Sequence, residues 1–182
     1  NFVVQGISCE GCGVCVWNCP QNAISFEPRE SGLWYISNTK YGKMVHAKLN
    51  IAEENSGKLV TLVRKEARHI AEQENAEYLL VDGPPGTGCP VIASLGGADS
   101  VLIITEPSLS AIHDMERVLK LTEHFKMPAM VCINKFDLNT ELSESIEKIC
   151  SEKNIPVVSK IPFDNSVTKA LIKGQSIIEY GH

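Results

Sequence analysis

The 182-residue chain is long enough to bury a core as one domain, or as one domain with a small appendage. Its 43% hydrophobic and 21% charged residues are those of an ordinary soluble protein, and no apolar run approaches the length of a membrane span. A net charge of -5, without a Lys/Arg block, argues against nucleic acid as the main partner. No signal peptide opens the chain, so the expected location is cytoplasmic. Seven cysteines in such a protein point to metal or redox chemistry rather than structural disulfides. The sequence starts at Asn1 without Met and enters a motif almost at once, as the back portion of a longer protein would.

That motif is Cys9-Glu10-Gly11-Cys12-Gly13-Val14-Cys15-Val16-Trp17-Asn18-Cys19-Pro20, or C-x2-C-x2-C-x3-C-P. The spacing is that of bacterial ferredoxin ligation of a [4Fe–4S] cluster, in which the fourth Cys serves the other cluster of a two-cluster module. Gly11 and Gly13 let the backbone wrap closely. Zinc is the competing reading, and two x2 spacings followed by x3-C-P fit it poorly. Cys9, Cys12 and Cys15 are thus expected on one cluster and Cys19 on another, and no second four-Cys run follows.

Downstream, Ala23-Ile24-Ser25-Phe26 alternates like a short strand. Gly32 to Leu49 is rich in β-prone residues around turn signals at Asn38 to Gly42, which predicts one or two antiparallel strands, with His46 a partly exposed strand residue. A helix opens near Asn55 or Ser56 as N-cap and carries Leu59, Val60, Val63, Ala67, Ile70 and Ala71 at helical spacing to about Glu74. Its Gly57-Lys58 resembles the end of a P-loop but fails the G-x4-G-K-[ST] test, since Ala52 and Leu59 stand where Gly and Ser/Thr belong.

The central stretch is Tyr78-Leu79-Leu80-Val81-Asp82-Gly83-Pro84-Pro85-Gly86-Thr87-Gly88-Cys89-Pro90. An apolar run ending in an acid and a Gly/Pro cluster predicts a buried strand that delivers Asp82 to a mobile loop, as a Walker B element does for Mg²⁺. An Asp that merely caps the next helix is the plainer alternative. Further strands are predicted at Val101 to Thr105, Ala129 to Ile133 and Ile155 to Ile161, with helices at Val91 to Leu95, from Ser108 or Ser110 to Phe125, around Leu142 to Cys150, and through Ala170 and Leu171. This alternation means α/β: a doubly wound, mostly parallel sheet. The composition shift near residue 30 marks off a ferredoxin-like segment, 1–30, from the nucleotide-binding part, 31–182.

Polar loops close three strands on one edge: Asp82, Asn134-Lys135-x-Asp137 and Pro162-Phe163-Asp164. The Asn134 amide offers a donor and an acceptor to a purine edge, and the Lys135 stem can cover the base. N-K-x-D is also the guanine-reading pattern of GTPases.

The pieces CEGCGVCVWNCP, EENSGKLV, VDGPPGTGCPVIASL, ITEPSLSAIHDMERV, INKFDLN and IPFD, in this order, resemble MinD/ParA-type P-loop ATPases with an inserted ferredoxin module. The resemblance runs from Cys9 to about Ile178. It implies a seven- or eight-strand sheet, ATP and Mg²⁺ at the strand carboxyl ends, and two [4Fe–4S] clusters in the insert. By motif it makes Asp82 the Walker B aspartate, Asn134 the adenine reader, and Pro162, Phe163 and Asp164 the backbone flanking the base; Asp137 need not select guanine. The family's phosphate-binding loop lies before the insert, and neither it nor the first cluster motif has a counterpart here, so ATP hydrolysis is expected of the intact protein rather than of this chain alone. A related iron protein, that of nitrogenase, places an intersubunit cluster ligand where Cys89 stands, which raises a homodimer bridged there. The expected function couples nucleotide state to electron transfer or iron–sulfur delivery to an acceptor protein. The alternatives are a non-hydrolysing electron carrier or docking module, and a GTP-binding regulator.

Overall fold

The structure, a computed structural model, describes residues 4, 9, 11–27, 30–50 and 56–181. They fall into two compact units that meet in sequence at Val81/Asp82.

The first unit holds a short helix α1 (Val14–Trp17), the strands β1 (Gly32–Thr39) and β2 (Gly42–Leu49), and the long helix α2 (Gly57–Gln73). β1 and β2 pair antiparallel from Gly32↔Leu49 to Thr39↔Gly42. The turn is fixed by the Thr39 hydroxyl, which donates to the Gly42 carbonyl at 2.8 Å and accepts from the Tyr41 N–H at 3.1 Å. At the open end only glycine fits, because a Cβ on Gly32 would lie 2.6 Å from the Lys48 carbonyl oxygen. His46 is the partly buried strand residue expected: it stacks on its cross-strand partner Tyr35 and shares a 2.9 Å hydrogen bond with Ser37 Oγ. Helix α2 packs on β2 and begins at Ser56, whose Oγ accepts the Leu59 N–H at 3.3 Å; the alternative cap, Asn55, lies outside the described residues. It ends before Asn75, which takes a left-handed φ of 52°.

Two predicted strands are absent. Ala23 to Phe26 has no ladder partner, and the Ala23 N–H turns instead to Cys19 Sγ at 3.4 Å. Tyr78 to Val81 is neither a strand nor buried: Tyr78 is 82% and Leu80 91% exposed. Apolar composition makes a segment fit for a sheet, but a strand exists only where another backbone answers its N–H and C=O groups, and among the described residues none does so here.

The second unit alternates as expected: α3 (Cys89–Leu95), β3 (Val101–Thr105), α4 (Leu109–His124), β4 (Ala129–Asn134), a 3₁₀ turn (Phe136–Leu138), α5 (Thr140–Glu152), β5 (Val157–Ile161), α6 (Asn165–Ile172) and α7 (Ile177–Tyr180). The strands pair parallel in the order β3-β4-β5, so among the described residues this sheet has three strands rather than the seven or eight implied by resemblance. Caps start the helices: Ser108 Oγ accepts the Ala111 N–H at 3.3 Å for α4, and Asn139 Oδ1 the Leu142 N–H at 3.0 Å for α5.

One buried cluster packs between the sheet and two helices. Ile103, Val131 and Ile133 from the sheet meet Met115 and Leu119 of α4 and Ile146 and Cys150 of α5. Period-2 alternation on β3 turns Ile103 and Thr105 inward and leaves Leu102 and Ile104 exposed on the opposite face. Replacing the fully buried Ile146 by Ala should cost about 3 kcal/mol in denaturant unfolding, against under about 0.5 kcal/mol for the exposed Leu171→Ala. Equal losses at the two positions would refute this core.

Candidate functional site

The cysteine motif forms a tight loop. Gly11 and Gly13 take left-handed φ values of 63° and 77°, which other residues adopt only with strain. Trp17 packs on Gly13, where a Cβ would come within 3.0 Å of its ring. Cys9, Cys12 and Cys15 are exposed and Cys19 half-buried. The N–H groups of Ala23, then Gln21, lower the Cys19 thiol pKa by hydrogen bonding to its sulfur, with a smaller contribution from Asn22. Stabilised thiolates are what iron takes as ligands, and the glycine-built loop leaves the sulfurs accessible, so the residues fit a [4Fe–4S] cluster. That fit is one of donor type and spacing: among the described residues, no three His, Cys, Asp or Glu side chains are gathered closely enough to hold a metal ion.

Asp82 opens the second unit as an exposed carboxylate. It is a hard oxygen donor of the kind Mg²⁺ takes. The loop after it turns at Gly86, with φ 89°. It is held from α4, where the Arg117 guanidinium donates to Thr87 Oγ1 at 2.8 Å while also lying 3.7 Å from Asp114. Cys89 is the exposed first residue of α3. Lys58, in the other unit, is exposed in the first turn of α2.

The carboxyl ends of the parallel strands carry the other site residues. Asn134 is the last residue of β4, half-buried and in register with Ile161 of β5. Lys135 follows in a left-handed conformation, φ 54°, and its Nζ meets Glu106, just past β3, at 3.0 Å. Asp137 reaches across to β5, its Oδ1 accepting the Phe163 N–H at 2.7 Å. Asp164 caps α6 by accepting the Ser166 N–H at 2.7 Å. That bond first, then the Ser166 hydroxyl, holds the Asp164 carboxyl below the usual carboxylate range. Asn134, Lys135, Phe163 and Asp164 are thereby joined by a chain of neighbours and polar contacts at one edge, with Pro162 next to Phe163 in the same loop. No polar contact ties Asp82 to them among the described residues. The sequence reading missed Glu106, Thr87 and Arg117 as site residues; the charge of Glu106 immediately after a buried strand was the available signal.

The chain thus combines a parallel α/β sheet with polar strand ends and a four-cysteine loop of ferredoxin spacing. The sequence pattern of the ParA family, described as NUBPL iron-transfer P-loop NTPase, matches residues 56–182, and that of the 4Fe-4S binding domain matches residues 8–25. The chain belongs to the NUBPL iron-transfer P-loop NTPase family. It is similar to an uncharacterized protein of Methanocaldococcus jannaschii, 29% identical over 94% of this chain and 57% of that protein. An iron–sulfur cluster carrier protein of Pyrococcus abyssi is 24% identical over 69% of this chain and 46% of the carrier. Among solved structures, the MinD cell division protein of Aquifex aeolicus superposes with a TM-score of 0.58 at 22% identity, over 79% of this chain and 60% of MinD, and so shares the fold. The chain spans a little over half the length of two of the M. jannaschii proteins it matches. Among the described residues no helix is long and apolar enough to cross a membrane.

Arg117→Ala should speed amide exchange across residues 83–88 several-fold while leaving α4 unchanged; equal protection in both proteins would show that the Thr87 contact holds nothing. For Asp164, the folded pKa is depressed, so its stabilisation of α6 is complete above the unfolded pKa and is lost as pH falls through the folded one. The protection of α6 amides relative to their intrinsic exchange rates should therefore fall in acid, and Asp164→Asn, a neutral cap, should remove that pH dependence.

Proposed function

We propose that the intact protein carries an iron–sulfur cluster and uses the nucleotide state of its P-loop domain to control delivery of that cluster, or of an electron from it, to an acceptor protein. The observation that carries this reading is the presence in one chain of the 4Fe-4S motif and the iron-transfer NTPase domain. The name of the P. abyssi relative, an iron–sulfur cluster carrier, favours delivery over electron transfer alone.

In this reading Cys9, Cys12, Cys15 and Cys19 supply thiolate ligands. ATP is the nucleotide, with Asn134 reading adenine through its amide and the backbone of Pro162 to Asp164 flanking the base. Asp82 holds Mg²⁺ through water, and the loop behind it, tethered through Thr87 to Arg117, changes position with nucleotide state. Bound Mg²⁺ supplies charge neutralisation at the phosphates. The 1–30 segment forms the cluster module and 31–182 the nucleotide part. A cytoplasmic homodimer is the expected assembly.

An anaerobic preparation should be brown and show a reducible [4Fe–4S] signal that Cys12→Ser removes; a colourless, zinc-loaded protein would sink the assignment. In the intact protein, cluster transfer to an apo-ferredoxin should change rate with ATP and Mg²⁺. Asp82→Asn should abolish that difference without lowering iron content. Transfer indifferent to nucleotide in the wild type would leave a plain carrier.

A further inference from the structure

The β1–β2 hairpin is charged against the trend of the chain. The protein carries 22 acidic residues against 17 Lys and Arg, yet Gly32 to Leu49 holds Lys40, Lys43 and Lys48 and no Asp or Glu. Lys43 and Lys48 are exposed, and among the described residues neither has an ion-pair partner. Lys43 stands opposite Asn38 near the turn and Lys48 opposite Leu33 at the open end, so both ends of β2 are positive. The same ribbon keeps large apolar side chains in solvent. Tyr41, at the turn, is 78% exposed, with Lys40 Nζ 5.0 Å from its ring centroid. Helix α2 packs on β2, but apolar residues stay open on both faces of the ribbon: Trp34 and Ile36 on one, Leu33 and Met44 on the other. Contiguous exposed apolar surface marks an interaction site rather than a solvated face. Aromatic and Met side chains supply contact area at such sites, and unneutralised charges around them steer a partner of opposite sign.

We propose that this hairpin docks the acceptor protein by an acidic face of the acceptor, with Lys43 and Lys48 steering the approach and Tyr41 and Met44 making the apolar contact. The proposal rests on the reading of the protein as one that hands a cluster or an electron to an acceptor. The hairpin belongs to the same compact unit as the four-cysteine loop, so an acceptor seated on it is held by the part of the protein that carries the sulfur ligands. Lysines among aromatic rings also suit a nucleic acid, but a long polyanion would run past the hairpin onto a chain of net charge -5. A protein whose acidic charge is confined to one face meets only the local field, since salt screens the more distant carboxylates.

The test uses the intact protein and, as probe, a ferredoxin of net negative charge, native or with its carboxylates converted to amides. Binding is measured over a range of salt for the wild type, for Lys43→Glu combined with Lys48→Glu, and for Tyr41→Ala. A control, Lys120→Glu with Lys153→Glu, makes the same change of charge on the second unit. The hairpin charge pair should weaken binding of native ferredoxin on the order of tenfold at low salt, the deficit shrinking as salt rises. Tyr41→Ala should weaken it several-fold at every salt concentration, and the control pair should leave it near the wild type. Amidated ferredoxin should bind the wild type weakly and the hairpin pair no more weakly. Iron content should be the same in all four proteins. Equal weakening by the control pair, or wild-type binding by the hairpin pair, would overturn the proposal. Lys43 resistant to acetylation before any acceptor is added would mean that the protein's own chain covers the hairpin, and would also overturn it. A single-stranded oligonucleotide that outcompetes ferredoxin, and that the hairpin pair no longer binds, would reassign the surface to nucleic acid. A wild type that binds no ferredoxin would end the docking proposal, while nucleotide-dependent cluster transfer would still be decided by its own assay.

Discussion

Parallel pairing forces β3, β4 and β5 to end on the same edge, and the remainder of the second unit follows from that constraint. Each strand must be followed by a helix that carries the chain back along the sheet, and α4 and α5 bring Met115, Leu119, Ile146 and Cys150 onto one face. Each return leaves a short loop at the carboxyl edge. Three loops that are far apart in sequence are thereby made neighbours, and their polar side chains can bridge one strand end to the next. The contacts Glu106–Lys135 and Asp137–Phe163 are products of the sheet before they are parts of a site.

The local half of this structure was legible in the residues. Apolar runs such as Val101 to Thr105 became strands, and helix starts at Ser56 and Ser108 were cap chemistry written into the chain. What failed was a statement about partners. Tyr78 to Val81 and Ala23 to Phe26 have β-type composition, but composition carries no information on whether another backbone lies alongside. For the same reason Asn134 was readable as a strand-end amide, whereas the engagement of Asp137 by Phe163 was not, since 26 residues and a parallel register separate the two. Thr87 and Arg117 were hidden likewise, being joined only when the loop after Asp82 passes α4.

Backbone strain is placed with some economy at the carboxyl edge of the sheet. Lys135 is held in the left-handed region, unusual for a long side chain. Its ion pair with Glu106 and the Asp137 bond two residues later secure that turn from both sides. A loop that depends on two cross-strand contacts for its shape is sensitive to the loss of either one.

The seven cysteines divide into two chemical populations. Cys9, Cys12, Cys15, Cys19 and Cys89 are open to solvent in whole or part, whereas Cys132 and Cys150 are sealed in the second unit. Burial, reinforced by nearby Glu147, pushes the Cys150 thiol up, away from its reactive thiolate form. An oxidant or alkylating reagent that strips the outer thiols therefore meets no nucleophile in the core. Reversible oxidation in the four-cysteine loop can be undone by a reductant while Cys132 and Cys150 stay buried, whereas alkylation there is permanent.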